Sequence, residues 1–271
     1  MNIKLGFIGA GNMGSALIKG IAKSGLIFPE NIYVFDKQAQ KTEELKKLYS
    51  LNIMRSSGEV VQNLNIIILA VKPNIVKEVL EQCKDFFDDK KLLVSVAVGI
   101  PIKFYKDILG SDRKIIRTMP NTPALVGEGM TLVSFDNNIE ETDIYTVVSL
   151  FETVGKVEIL DESLMSEVTA LTSSSPAYVF MFIEAMADAA VLSGIPRDIA
   201  YRLAAQAVLG SARMVLNTGK HPGELKDQVC SPAGTTIEAV ASLEKNGFRY
   251  AIIEAMNECT RKAREIGKKY G

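Results

Sequence analysis

The chain has 271 residues, 47% of them hydrophobic, which is ample for a well-buried core and suits one large or two moderate domains. With 31 basic against 32 acidic residues there is no net field to attract a polyanion or an anionic membrane, so neither nucleic acid nor a lipid surface is expected as the main partner. The apolar runs NIIILAV (65–71) and KLLVSVAVGI (91–100) are too short to span a bilayer and MNIKLGFIGAG lacks the regions of a signal peptide, so the expectation is a soluble, cytoplasmic protein.

In chain order, residues 4–8 predict a short apolar strand, followed by GAGNMG, in which Gly9, Gly11 and Gly14 have the G-x-G-x-x-G spacing. The next helix carries Met13, Leu17, Ile18, Ile21 and Ala22 on one face and ends near Gly25. A second strand, NIYVFD (31–36), closes a βαβ unit and puts Asp36 about 20 residues beyond the glycines, as a dinucleotide site requires. The first glycine allows the tight turn, the second lets backbone approach a pyrophosphate, and the third lets helix pack on strand. The helix N-terminus then meets the negative charge. A glycine triplet alone is equally a packing turn, but here strand, helix, strand and acid fall in order. Asp36 suits a ribose 2′-hydroxyl and Lys37 a 2′-phosphate, which leaves NADH and NADPH both open.

Further strands are predicted at 65–71, 92–98 and 114–118, with a helix over NIVKEVLEQC (74–83) between the first two. Alternating strands and helices predict a parallel, doubly wound sheet with its ligand beyond the carboxyl ends of the strands. AVKP (70–73) and TMPNTPALVGEG (118–129) fall at such ends, and Val71 and Lys72 stand at the crevice. Lys72 is otherwise a plain solvated charge.

From Glu162 onward only helical patterns are read, over 163–172, 177–194, 197–218, 235–246 and 248–268, which divides the chain into domains 1–161 and 162–271. The segment 177–194 is apolar on nearly every side except Glu184 and Asp188, so a partner subunit is expected to cover it. Cys83, Cys230 and Cys259 are too far apart for a metal or redox motif, and neither a metal site nor a disulfide framework is expected.

This arrangement resembles the 6-phosphogluconate-dehydrogenase-like architecture: an α/β N-terminal Rossmann-type sheet followed by an all-α C-terminal dimerisation domain. Its β-hydroxyacid dehydrogenases use a lysine on the long interdomain helix, but residues 172–194 contain none, which argues against alcohol oxidation. The run HPGELKDQVCSPAGTTIEAVASLEKNGFR (221–249), with FIGAGNMG, AVKP, MPNTPA and SPAYVF, resembles the pyrroline-5-carboxylate reductase family along essentially the whole chain.

The resemblance implies an oxidoreductase of proline biosynthesis that uses NADPH or NADH to reduce 1-pyrroline-5-carboxylate, a cyclic imine carrying a carboxylate, to L-proline. Ser231, Pro232, Ala233 and Gly234 open into a helix at Thr235 and Thr236, and free N–H groups there suit the carboxylate. By the resemblance Ser231, Gly234, Thr235 and Thr236 line the substrate site. Thr236 is the candidate proton donor to the imine nitrogen, or orients a water, or only bonds the nitrogen. Equally, both threonines are plain helix caps. Glu162 and Gln228 match further family positions near substrate. The cofactor then lies along Ile8, Gly9, Ala10, Gly11, Asn12 and Met13, then Asp36, Lys37, Ser57, Val71, Lys72 and Ala97. Each active site in the family takes residues from two subunits, and its dimers often form decamers.

Two departures stand out. Ser57 replaces an asparagine, and in LTSSSPAY (171–178) Ser173 and Ser175 replace glycines, so the backbone there cannot use positive φ cheaply. His221, the one histidine, reads as a turn residue beside Pro222 and Gly223. The alternatives to the leading function are reduction of another cyclic imine carboxylate, since one methylene changes discrimination by only ~1–3 kcal/mol, and a nucleotide-sensing binding protein.

Overall fold

The computed structural model describes Met1 and residues 3–270. It divides into two compact units, one of Met1–Ser173 with the segment from Thr260 onward, the other of Ser174–Cys259.

In the first unit, β1 (Leu5–Ile8), β2 (Ile32–Phe35), β3 (Asn52–Ile53), β4 (Ile66–Leu69), β5 (Leu92–Ser95), β6 (Lys114–Met119), β7 (Gly129–Phe135) and β8 (Gly155–Ile159) form one sheet of order β3-β2-β1-β4-β5-β6-β7-β8. All neighbours run parallel except β6 and β7, which are antiparallel. The chain reverses its direction of winding between β1 and β4, and Ile8 pairs with Leu69 at their carboxyl ends. That is the switch point where doubly wound sheets open a crevice.

The strands read as unbroken apolar runs because both faces are covered. Alternate residues enter opposite cores: Leu92 and Val94 join one cluster, Leu93 the other. The first cluster takes Leu17, Ile18 and Ile21 from α1 (Asn12–Ser24) and Val147, Leu150 and Phe151 from α6 (Glu141–Glu152). The second takes Val60 and Val61 from α3 (Ser57–Asn63), Val76, Val79 and Leu80 from α4 (Pro73–Cys83), and Ile102 and Tyr105 from α5 (Ile102–Leu109). The remaining helix of this layer, α2 (Ala39–Tyr49), links β2 to β3.

Two features differ from the sequence expectation. The sheet is mixed, because β7 returns antiparallel after the turn Thr122–Val126. Residues 163–172 form a 3₁₀ turn, Glu162–Leu164, and a π-helical turn, Thr169–Ser173. These residues and the chain's end pack in the first unit: Met165 joins a cluster with Met119 and Leu132, and Arg264 bonds Glu167 through two nitrogens, at 2.8 and 2.6 Å.

The second unit holds α7 (Ser175–Leu192), α8 (Arg197–Thr218), α9 (Pro222–Val229), α10 (Thr235–Lys245) and most of α11 (Phe248–Gly267). Its buried apolar residues are small: Ala187 on α7, Ala200 and Ala204 on α8. Phe180, Met181, Leu203, Leu216, Tyr250 and Ile253 are exposed. By length and composition the stretch Thr169–Leu192 is long and apolar enough to cross a membrane.

Candidate active site

At the switch point Gly9 donates its N–H to the Phe35 carbonyl at 2.8 Å and Ala70 donates to the Ile8 carbonyl at 2.8 Å, so the glycine turn and the end of β4 face one crevice. A groove of about 330 Å³ opens there, lined by Gly9, Gly11, Asp36, Lys37, Val71 and Lys72 among others. The three glycines have separable duties. Gly9 lies at φ +104°, and a Cβ on it would sit 2.4 Å from the Ala70 carbonyl oxygen. A Cβ on Gly14 would sit 2.3 Å from the Gly9 carbonyl oxygen, so this glycine lets α1 close on the strand. Gly11 has extended backbone, φ −70° and ψ −171°, and a Cβ there would meet nothing within 4 Å. The fold itself therefore makes no demand for glycine at position 11. Open space beside an N-cap with no side-chain cap bond, in a helix with no acid in its first turn, fits a pyrophosphate received by free N–H groups.

Asp36 is committed to the loop. Its Oδ2 accepts from the Ala10 N–H at 2.7 Å and its Oδ1 from the Gln38 N–H at 2.8 Å. Ala10 thus contributes by anchoring this carboxylate, while Ile8 borders the groove and Asn12 and Met13 form the first turn of α1. Ala97 is buried just past β5, its N–H on the Ser95 hydroxyl at 3.2 Å. Ser57 is not brought to the groove: it is 4% exposed in the first turn of α3, with its hydroxyl against the Cys83 thiol. Two polar groove residues escaped the sequence reading, Gln38 and Lys41. Lys41 lies in the first turn of α2, which starts just past Asp36 and Lys37.

Glu162 sits in the first unit and is already engaged. One oxygen, Oε1, accepts from the Ile102 N–H at 2.8 Å and from Arg117 at 3.0 Å, which caps α5 and neutralises a nearly buried cation. It borders a larger cavity, about 540 Å³, whose Lys106 is paired with Asp136 at 2.5 Å. That cavity has neither the glycine turn nor the switch point.

In the second unit, Ser231 to Gly234 form a β-turn closed by the Gly234 N–H on the Ser231 carbonyl at 3.0 Å. Pro232 is second and Ala233 third, at φ +55°, the pattern of a type II turn. Gly234 is needed for contact, since a Cβ on it would lie 2.2 Å from the Ser231 hydroxyl oxygen. Gly234 is also the N-cap of α10, with no side-chain cap bond. Thr235 and Thr236 are therefore the first two helical residues, and the reading of them as caps does not hold. Their N–H groups and hydroxyls are available to an anion. The left-handed Ala233 was not foreseen, and such strain gathers at functional turns. Gln228 is exposed on α9 and donates to Glu224 at 3.0 Å. His221 is the N-cap of α9, its Nδ1 accepting from the Gly223 N–H at 3.1 Å, a turn role as read.

A family model described as pyrroline-5-carboxylate reductase dimerisation matches residues 162–266, and one described as NADP oxidoreductase, coenzyme F420-dependent, matches residues 4–99. The pyrroline-5-carboxylate reductase of Escherichia coli (strain K12) is 49% identical over 268 residues, spanning 99% of this chain and 100% of that one. The chain belongs to the pyrroline-5-carboxylate reductase family. Among solved structures, pyrroline carboxylate reductase of Plasmodium falciparum with NADP bound is similar at TM-score 0.89 and 38% identity, covering 98% of each chain. The pyrroline-5-carboxylate reductase of Coxiella burnetii is similar at TM-score 0.91 and 31% identity, covering 98% of this chain and 99% of that one.

Against the family pattern, Ser173 and Ser175 cost no backbone strain, since among the described residues only Ser50 and Ala233 are non-glycines at positive φ. The Ser173 hydroxyl is buried at the end of the π turn without a hydrogen-bond partner. Among the described residues no group of three or more His, Cys, Asp or Glu is placed to hold a metal.

Proposed function

We propose that this chain reduces 1-pyrroline-5-carboxylate to L-proline with NAD(P)H, and that the substrate carboxylate is received by the N-terminus of α10. The observation that carries this reading is the uncapped start of that helix behind the Ser231–Gly234 turn, in a chain of this family. The Gly9–Gly14 turn and the start of α1 would hold NAD(P)H, which would supply the hydride for the imine carbon. A protonated imine is already electrophilic, so the protein's main work is to hold ring and carboxylate at attack distance.

Within that reading each residue has a task. The N–H groups of Thr235 and Thr236, with the Ser231 hydroxyl, bind the carboxylate. The Thr236 hydroxyl bonds the imine nitrogen and orients the proton that becomes the amine N–H; a threonine is too weak an acid to do more unaided. Asp36 keeps the glycine turn in shape through Ala10, and α1 receives the pyrophosphate.

The second unit's exposed apolar faces on α7, α8 and α11 call for another copy, and the dimerisation match covers them. That match, with Glu184 and Asp188 interrupting α7, supports reading the apolar stretch Thr169–Leu192 as a subunit contact and the enzyme as cytoplasmic. The chain works as a homodimer whose substrate loop completes the partner's site, with five dimers forming a decamer.

Oxidation of NADPH and NADH on adding pyrroline-5-carboxylate tests the reaction. Thr236→Ala should lower turnover and leave cofactor affinity unchanged. Equal catalytic efficiency on the six-membered homologue would refute specificity for the five-membered ring, and no turnover on any imine would refute the reading. Sedimentation to the mass of a single chain would refute the assembly.

A further inference from the structure

We propose that Glu78 on α4, outside the residues lining the groove, tunes the choice between the two nicotinamide cofactors by occupying Lys37. The inference rests on the cofactor reading above and concerns its ribose end.

In a doubly wound sheet the acid at the end of β2 marks the adenosine ribose, and here it is Asp36. Its carboxylate is held by two backbone N–H groups, at 2.7 and 2.8 Å, so it is fixed before any ligand arrives. Each carboxylate oxygen has a second acceptor site, which suits a 2′-hydroxyl. A 2′-phosphate there meets a fixed negative charge and requires cations.

The cations are present. Lys37, Lys41 and Lys72 all border the groove. Lys37, adjacent to Asp36, is not free: its Nζ lies 2.8 Å from Glu78 Oε1, and that oxygen is also approached by Gln82 Nε2 at 3.3 Å. The Lys37 ammonium holds the Glu78 carboxyl below its ordinary value, so Glu78 stays charged in neutral solution. To serve a 2′-phosphate, Lys37 must leave this carboxylate. An NADH ribose asks nothing of Lys37.

The pair is well exposed, 60% for the lysine and 53% for the glutamate. Exposed pairs are weak and screened by salt, which makes Glu78 a bias on cofactor choice rather than a bar. Removing its charge should tighten NADPH about two- to fivefold and leave NADH unchanged.

The test is direct titration of NADPH and NADH, without substrate, into the full-length wild type, Glu78→Gln, Lys37→Met and the double variant, at low and high salt. We expect Glu78→Gln to raise the NADPH/NADH affinity ratio, the rise to shrink with salt, and the rise to vanish when Lys37 is already methionine. An unchanged ratio in Glu78→Gln overturns the proposal. So does a rise that survives loss of Lys37, since Glu78 would then act as a bare charge. Wild-type protein that binds neither nucleotide would overturn the cofactor reading itself, an outcome distinct from binding both with an unmoved ratio.

Discussion

Glu162 and Arg117 are joined at 3.0 Å across 45 residues of sequence, and the same glutamate oxygen takes the Ile102 N–H at 2.8 Å. The Arg117 side chain is 8% exposed, so removing its anion strands a nearly buried charge. Glu162→Ala should cost roughly 2–3 kcal/mol in urea unfolding, and Glu162→Gln less, because an amide still accepts from Ile102. If substrate KM rises while stability holds, Glu162 is a substrate contact first and a clamp second.

The glycine turn predicts a split between binding and stability. Gly11→Val should abolish cofactor binding while the melting temperature stays close to wild type, since the side chain enters open space. Gly14→Ala should instead lower the melting temperature, because its Cβ would press on the Gly9 carbonyl at 2.3 Å. Nucleotide titration and thermal melts on the two variants check both halves. Equal loss of stability in both would mean that position 11 serves the fold.

Ala233 stands at φ +55° in the Ser231–Gly234 turn. A left-handed alanine costs about 1–2 kcal/mol and a glycine there pays mainly about 0.5–1 kcal/mol of chain entropy. Ala233→Gly should therefore stabilise by up to about 1 kcal/mol, with substrate KM little changed because the turn keeps its shape. Destabilisation on denaturant unfolding would contradict a left-handed residue at this site.

Burial pushes the Tyr105 phenol well above its ordinary value, against the lowering effect of its Ser95 hydrogen bond and of Arg117. The folded state therefore keeps a proton that the unfolded chain gives up near pH 10. Stability from this group is complete below about pH 10 and falls above it by at most about 1.4 kcal/mol per pH unit. In urea unfolding at about pH 9, 10 and 11, the advantage of wild type over Tyr105→Phe should shrink as pH rises. A constant difference would mean that the phenol ionises in the fold as it does in solution.

Local sequence carried a good deal of this. The G-x-G-x-x-G spacing, the apolar strand before it and Asp36 after it located the groove, because tight turns and helix starts are short-range events. The expected strands at 65–71 and 92–98 cover β4 and β5, and the one at 114–118 takes in all of β6 but Met119. The helix boundaries at 197–218 and 235–246 hold within a residue. The reversal at β7 was not legible, since an apolar run such as GMTLVSF has the same period whichever way it pairs. Residues 162–173 look helical, yet Glu162 and Met165 bind them to the first unit through side chains from β6 and β7 and the Ile102 N–H at the start of α5.

The sequence by itself determined which family this chain joins, where its glycine turn lies and that its second half is helical, all set by spacing within a few dozen residues. Only the tertiary structure decided what the charged groups do. Asp36 turns onto Ala10, Lys37 onto Glu78 some 41 residues away, and Glu162 onto Arg117 and Ile102. A side chain's partner depends on which elements the sheet order brings together, and no local period records that.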